Sequence, residues 1–170
     1  LRGIYLRAFE KAVKKSQPWT VMNAYNLLNG TYCSENEWLQ NKVLREEWGF
    51  EGAVVSDWGA VNDRVAGLNA GNDLEMPSSG GVNDAKIVEA VKCGVIDEAT
   101  LDERVDKLVD IIFKGAANKK PGYKFDVKAH NLLSRQIAEQ SMVLLKNEDN
   151  ILPLKRVEGE YVAVIGAFAD

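Results

Sequence analysis

Apolar residues recur along this chain at two different spacings. Residues 1–15 set Ile4, Tyr5, Ala8, Phe9, Ala12 and Val13 on one helical stripe, and Pro18 ends it. A short apolar run over 19–25 predicts a buried strand, followed by the turn pair Asn29-Gly30. Ser34 with Glu37 three residues later has the form of a capping box. It opens a predicted helix through Trp38, Leu39, Val43, Leu44 and Trp48, which Gly49 closes. Residues 52–56 (GAVVS) form a second short apolar strand ending at Asp57-Trp58-Gly59. A helix over 61–70, a third strand over 73–76 stopped by Pro77, and a loop over 78–81 come next. Helices are predicted over 84–93 and 101–114, the second capped by Thr100 with Glu103.

Short, wholly apolar strands alternating with helices predict an α/β fold with a parallel sheet covered by helices. Three such units cannot close a barrel of eight, so the sheet is expected to belong to something larger. Residues 114–126 (KGAANKKPGYKFD) are the best linker candidate. Beyond them the pattern predicts a long amphipathic helix over 127–146 and a strand over 161–166 opening a new α/β unit. The chain starts at Leu1 inside a helical pattern and stops just after a strand pattern, so both ends are expected to be cut from a longer polypeptide.

Composition narrows the function classes. The 21 basic and 25 acidic side chains leave a formal charge of −4 with no basic stripe, so neither nucleic acid nor an anionic membrane is an expected partner. No apolar run is long enough to span a bilayer. Cys33 and Cys93 make no framework pattern and are read as isolated thiols.

The most informative position is Asp57, a carboxylate at the carboxyl end of a buried strand, where parallel α/β enzymes build their sites. Trp58 beside it offers a plane for a sugar ring, and Gly59 permits close backbone approach. Asp57 capping the following helix is the competing reading. Tyr25 ends the preceding strand, where its hydroxyl can donate to a neighbouring carboxylate or serve only packing. His130, the sole histidine, lacks partners for a nucleophile triad or a zinc site and reads as structural. Asp63, Asp73 and Glu75 are carboxylates near the same face, free to bind hydroxyls or a cation or to pair with arginines such as Arg64. No strand end offers the lysine a Schiff-base aldolase needs.

Five motifs in fixed order carry a family resemblance: VMNAYNLLNG over 21–30, LREEWGF over 44–50, GAVVSDW over 52–58, AGNDLEMP over 70–77, and SMVLLKN over 141–147 followed by LPL over 152–154. Together they resemble glycoside hydrolase family three along essentially the whole chain. The resemblance implies a retaining β-glycosidase, β-glucosidase-like, built from a (β/α)8 TIM-type barrel and an α/β sandwich domain. Residues 1–113 would be the last barrel units, 114–126 the linker, and 127–170 the start of the sandwich domain. It assigns the nucleophile to Asp57, a nucleophile contact to Tyr25, a sugar-site aromatic to Trp58 and a pocket-wall position to Met22. The family's sugar-grasping Asp, Arg and Lys-His residues and its acid/base Glu have no counterpart here, and Gly3 stands where an acidic residue is common. The implied substrate is a β-glucoside or oligosaccharide, with no metal or organic cofactor, and the rest of the same polypeptide would complete the site. Open alternatives are a β-xylosidase, β-N-acetylglucosaminidase or glycoside phosphorylase of the family, or a non-catalytic carbohydrate-binding or scaffold fragment.

Overall fold

A computed structural model describes residues 1–155, 157–167 and 169. The chain divides into two compact units, Leu1–Lys120 and Pro121–Asp170. In the first, helix α1 (Arg7–Ser16) leads to strand β1 (Thr20–Met22), and a hairpin of β2 (Leu27–Leu28) and β3 (Thr31–Tyr32) follows. A π-helix (Trp38–Glu47) precedes β4 (Ala53–Val55), after which come α2 (Arg64–Ala70), α3 (Val82–Lys92) and α4 (Glu98–Ala117).

The sheet is parallel. β1 pairs with β4 in the register Thr20–Ala53, Val21–Val54 and Met22–Val55. The third predicted strand is reduced to one parallel bridge, Val55–Leu74. Paired residues share a face, so the sheet has two unlike sides. Val21 and Val54 face Val13, Val43, Leu44, Trp48 and Phe50 in the core beneath α1 and the π-helix. On the other side Met22 and Leu74 flank half-buried Val55 and are exposed. Gly52 lets β1 and β4 meet, because a Cβ there would lie 2.4 Å from the Trp19 carbonyl oxygen. A second core joins Leu68, Ile87, Ala90 and Ile96 where α2 meets α3.

Side chains supply what the short third strand lacks. Asp73, fully buried, accepts the Val54 N–H at 2.6 Å through Oδ2. The same carboxylate receives Arg45 at 2.7 Å and Arg104 at 3.2 Å. Arg64 donates to the Asn72 and Asp73 carbonyls at 3.0 and 3.3 Å. Such a buried ion cluster adds little net stability against an apolar replacement, but losing one partner strands the others in low dielectric.

Several local expectations change. Both capping boxes fail. Ser34 donates its hydroxyl to the Ala60 carbonyl at 2.9 Å, and Asn36 caps the π-helix by accepting the Leu39 N–H at 2.9 Å. Asp97, not Thr100, caps α4, accepting the Ala99 N–H at 3.2 Å. A side chain commits to whichever donor or acceptor tertiary packing leaves unmet, and the sequence motif does not record that. The helix over 38–47 winds as a π-helix with Gln40 buried in it, held by Asn23 and the Ser34 carbonyl. Of the α1 stripe only Val13 is buried; Ile4 is exposed, and Tyr5 and Phe9 stay exposed along a cavity of about 290 Å³. Asn29 and Gly30 take positive φ as the turn pair requires, and Gly49 takes the left-handed conformation expected of it. α4 continues to Ala117, so the residues just after 113 are helical.

In the second unit α5 (Val127–Ser141) is capped by Asp126, which accepts the Ala129 N–H at 3.0 Å. It stops five residues before the predicted end. No strand forms over 161–166, where Tyr161 and Ile165 are almost fully exposed. A lone extended segment has no neighbour to satisfy its N–H and C=O groups, so an apolar run alone does not make a strand.

Candidate active site

β4 carries Ser56 and Asp57 out at its carboxyl end. Strand alternation puts Ser56 on the buried helix side with Val54, and Asp57 on the open side with Val55. The chain then turns sharply. The Trp58 N–H donates to Asp57 Oδ1 at 2.6 Å, which orients the carboxylate against its own backbone. Gly59 holds φ +80°, and its N–H reaches the Met76 carbonyl at 2.8 Å. Glycine is needed here for that left-handed φ, not for close approach, since a Cβ would meet nothing within 4 Å.

Tyr25 arrives from the end of β1. Its hydroxyl donates to the Trp58 carbonyl at 2.7 Å rather than to the carboxylate that the sequence suggested. A phenol has one proton to give, so Asp57 acts on it as an adjacent negative charge. Local desolvation and then that carboxylate push the Tyr25 phenol above the ordinary tyrosine range. The Trp58 indole is 65% exposed, its plane available to a ligand.

The competing capping role for Asp57 fails. α2 is capped by Asp63, which accepts the Ala66 N–H at 3.0 Å. The arginines of the adjoining segments have other partners, Arg45 and Arg104 at Asp73, and Arg64 at Glu75 (3.9 Å) and backbone carbonyls. Glu75 also accepts the Asn83 amide at 2.6 Å. The three carboxylates that sequence grouped together thus separate into a cap, a buried anchor and a paired loop residue. Met22 is among the residues lining the apolar cavity that Tyr5, Phe9 and Trp48 also line. Of the four candidate residues, the structure gathers Asp57, Trp58 and Tyr25. His130, in the second unit, stacks on Phe125 with ring centroids 5.8 Å apart. Cys33 is buried and Cys93 exposed, both as free thiols. The polar role of Ser56 escaped the sequence reading, although its strand phase marked it as inward-facing.

This parallel α/β unit thus presents a half-buried carboxylate and an exposed indole at one strand end, the position where parallel α/β barrels build their sites. Residues 1–111 match the glycosyl hydrolase family 3 N terminal domain, and the chain belongs to that family. It is 57% identical over 168 residues to thermostable beta-glucosidase B of Acetivibrio thermocellus, covering 99% of this chain and 22% of that protein. It is 49% identical to an exo-alpha-(1->6)-L-arabinopyranosidase of Bifidobacterium longum, over 99% of this chain and 23% of that one. The solved structure of beta-glucosidase 3B from Thermotoga neapolitana in complex with alpha-D-glucose superposes with TM-score 0.80 at 46% identity, over 91% of this chain and 23% of that chain. The chain therefore spans less than a quarter of these relatives.

Proposed function

We propose that this chain is the nucleophile-bearing part of a retaining β-glycoside hydrolase, a β-glucosidase in its main activity. The observation that carries this reading is the Asp57 carboxylate, half-exposed beside Trp58 at the mouth of a parallel sheet in a family 3 domain. Asp57 attacks the anomeric carbon as a second carboxyl, supplied by polypeptide outside these 170 residues, protonates the departing oxygen. Water then cleaves the glycosyl–Asp57 ester, its proton returning to that second group. Trp58 stacks on the sugar, Met22 belongs to the pocket wall, and Tyr25 holds the turn beneath them. The reaction uses no metal or organic cofactor.

The same reading makes 1–113 the closing units of a (β/α)8 barrel, 114–126 a linker and 127–170 the opening of a sandwich domain. It is supported by the bare row Met22–Val55–Leu74, an apolar sheet face of the kind further strands cover. The remaining polypeptide is accordingly the partner that completes the site, and the isolated 170 residues bind or cleave β-glucosides poorly.

A 2-deoxy-2-fluoro glucoside, which slows release of the covalent intermediate, tests this on the whole polypeptide. Peptide mapping is expected to find the label on Asp57; label on any other carboxylate refutes the assignment. A second reading, an exo-acting α-L-arabinopyranosidase, is favoured by the Bifidobacterium longum relative. The ratio of kcat/KM for aryl β-glucoside and aryl α-L-arabinopyranoside separates the two.

A further inference from the structure

The turn that carries Asp57 stands on a single residue of the neighbouring segment. Ser56 Oγ accepts the Met76 N–H at 2.8 Å and donates to the Met76 carbonyl at 3.2 Å. The Gly59 N–H reaches that same carbonyl at 2.8 Å. Residues 56 and 59 are thus both fastened to Met76, one through a side chain and the other through backbone. Asp57 and Trp58 span the gap between them. Above the gap, Tyr25 grips the Trp58 carbonyl at 2.7 Å. Two residues before Met76, the Leu74 carbonyl accepts the Ser56 N–H at 2.9 Å, which completes the fastening on the sheet side.

Ser56 is 1% exposed, so its hydroxyl sees no solvent and has no reason to be polar unless it is bonded. A hydroxyl gives one proton and accepts others, and here it uses both capacities on the backbone of one residue. Alanine at 56 would leave the Met76 N–H without its acceptor and would let the segment from 56 to 59 shift against Met76. The carboxylate of the next residue would move with it.

We propose that Ser56 is a positioning residue for Asp57: its two-way bond to the Met76 backbone, with the Gly59 N–H as the second attachment, sets the height and angle at which the carboxylate meets the sugar. This rests on the reading of Asp57 as nucleophile. Ser56 touches no substrate, and acts only by fixing the turn.

The test uses the whole polypeptide, unsubstituted and as Ser56→Ala, with a 2-deoxy-2-fluoro glucoside bearing a chromogenic leaving group. The burst amplitude counts functional sites, and the burst rate reports carboxylate attack per site. For Ser56→Ala the expected result is a burst rate roughly tenfold to a hundredfold lower per titrated site. Affinity for a ground-state ligand such as glucose should stay within about twofold, because the pocket itself is intact. Loss of packing alone would lower the amplitude and leave the rate per site unchanged. If Ser56→Ala yields no folded protein, Ser56→Cys, which keeps a side chain but hydrogen-bonds weakly, is read in the same way. A per-site rate within twofold of the unsubstituted enzyme overturns the positioning role while label remains on Asp57. Label on another carboxylate overturns the nucleophile assignment and this role with it.

Discussion

The first 120 residues and the last 50 differ in what they do with their apolar side chains. In Leu1–Lys120 two clusters are sealed, with Val43 and Val54 wholly hidden. In Pro121–Asp170 no described residue is buried, and Leu145, Tyr161 and Ile165 each keep at least nine-tenths of their surface. The hydrophobic content of the two stretches is similar to the eye, yet only one of them has layers to close on. A helix and an isolated apolar run cannot bury each other's surface, whereas a sheet with helices laid across it can. Periodicity therefore tells where a face is, and the number of neighbouring elements decides whether that face becomes a core.

The sharpest way to break this contrast is chemical. In the whole polypeptide, Asp57→Ala should lower kcat roughly a thousandfold or more while His130→Ala changes it less than twofold, measured on an aryl β-glucoside. Comparable losses from both would place chemistry in the second unit as well. Next comes global stability of the 170-residue chain. Asp73→Ala strands Arg45 and Arg104 and should cost about 3–5 kcal/mol in denaturant unfolding, while Ile137→Ala should stay within about 0.5 kcal/mol. Native-state hydrogen exchange on the same protein should find slow amides at Val54 and Leu44 and none in 121–170.

A smaller effect compares one kind of cap in both units. Asp63→Ala, at the start of α2, should lower the unfolding midpoint through a loss of about 1 kcal/mol. Asp126→Ala removes the same bond from α5, and there it should reduce helical circular dichroism without moving the midpoint. The smallest effect is the Tyr25 phenol. Desolvation and the Asp57 charge favour its neutral form in the fold, so whatever it contributes is intact below the ordinary tyrosine pKa of 10.0. That contribution fades as pH climbs through the raised folded value. The difference in ultraviolet titration between the native chain and Tyr25→Phe should show a midpoint above the ordinary tyrosine value of 10.0, and Asp57→Asn should bring it down.

The strand that ends at the candidate site was readable from the sequence. The apolar run over 52–56 followed by Asp57-Trp58-Gly59 announces a buried strand with a carboxylate at its end, because strand period, flanking glycine and turn chemistry all agree. The α/β character followed from the same alternation. The destinations of individual hydroxyls and amides were not readable. Ser34 looked like a cap and bonds a distant carbonyl, and Tyr25 looked aimed at a carboxylate and holds a backbone oxygen instead. Thr100 looked like the cap of α4, yet the helix begins earlier and Asp97 caps it. The strand expected over 161–166 failed for a different reason, since ladder formation is a property of pairs and no single segment encodes its partner.

One consequence follows from the way the third strand is attached. Asparagine and aspartate are among the poorest strand formers, yet Asn72 and Asp73 sit where the sheet continues, since a carboxylate captures the Val54 amide and the Arg64 guanidinium holds the Asn72 and Asp73 carbonyls. Alignment of that segment is written in charge, not in backbone preference. A designer who consulted propensity tables and installed valine at position 73 would improve every local score and dismantle the joint.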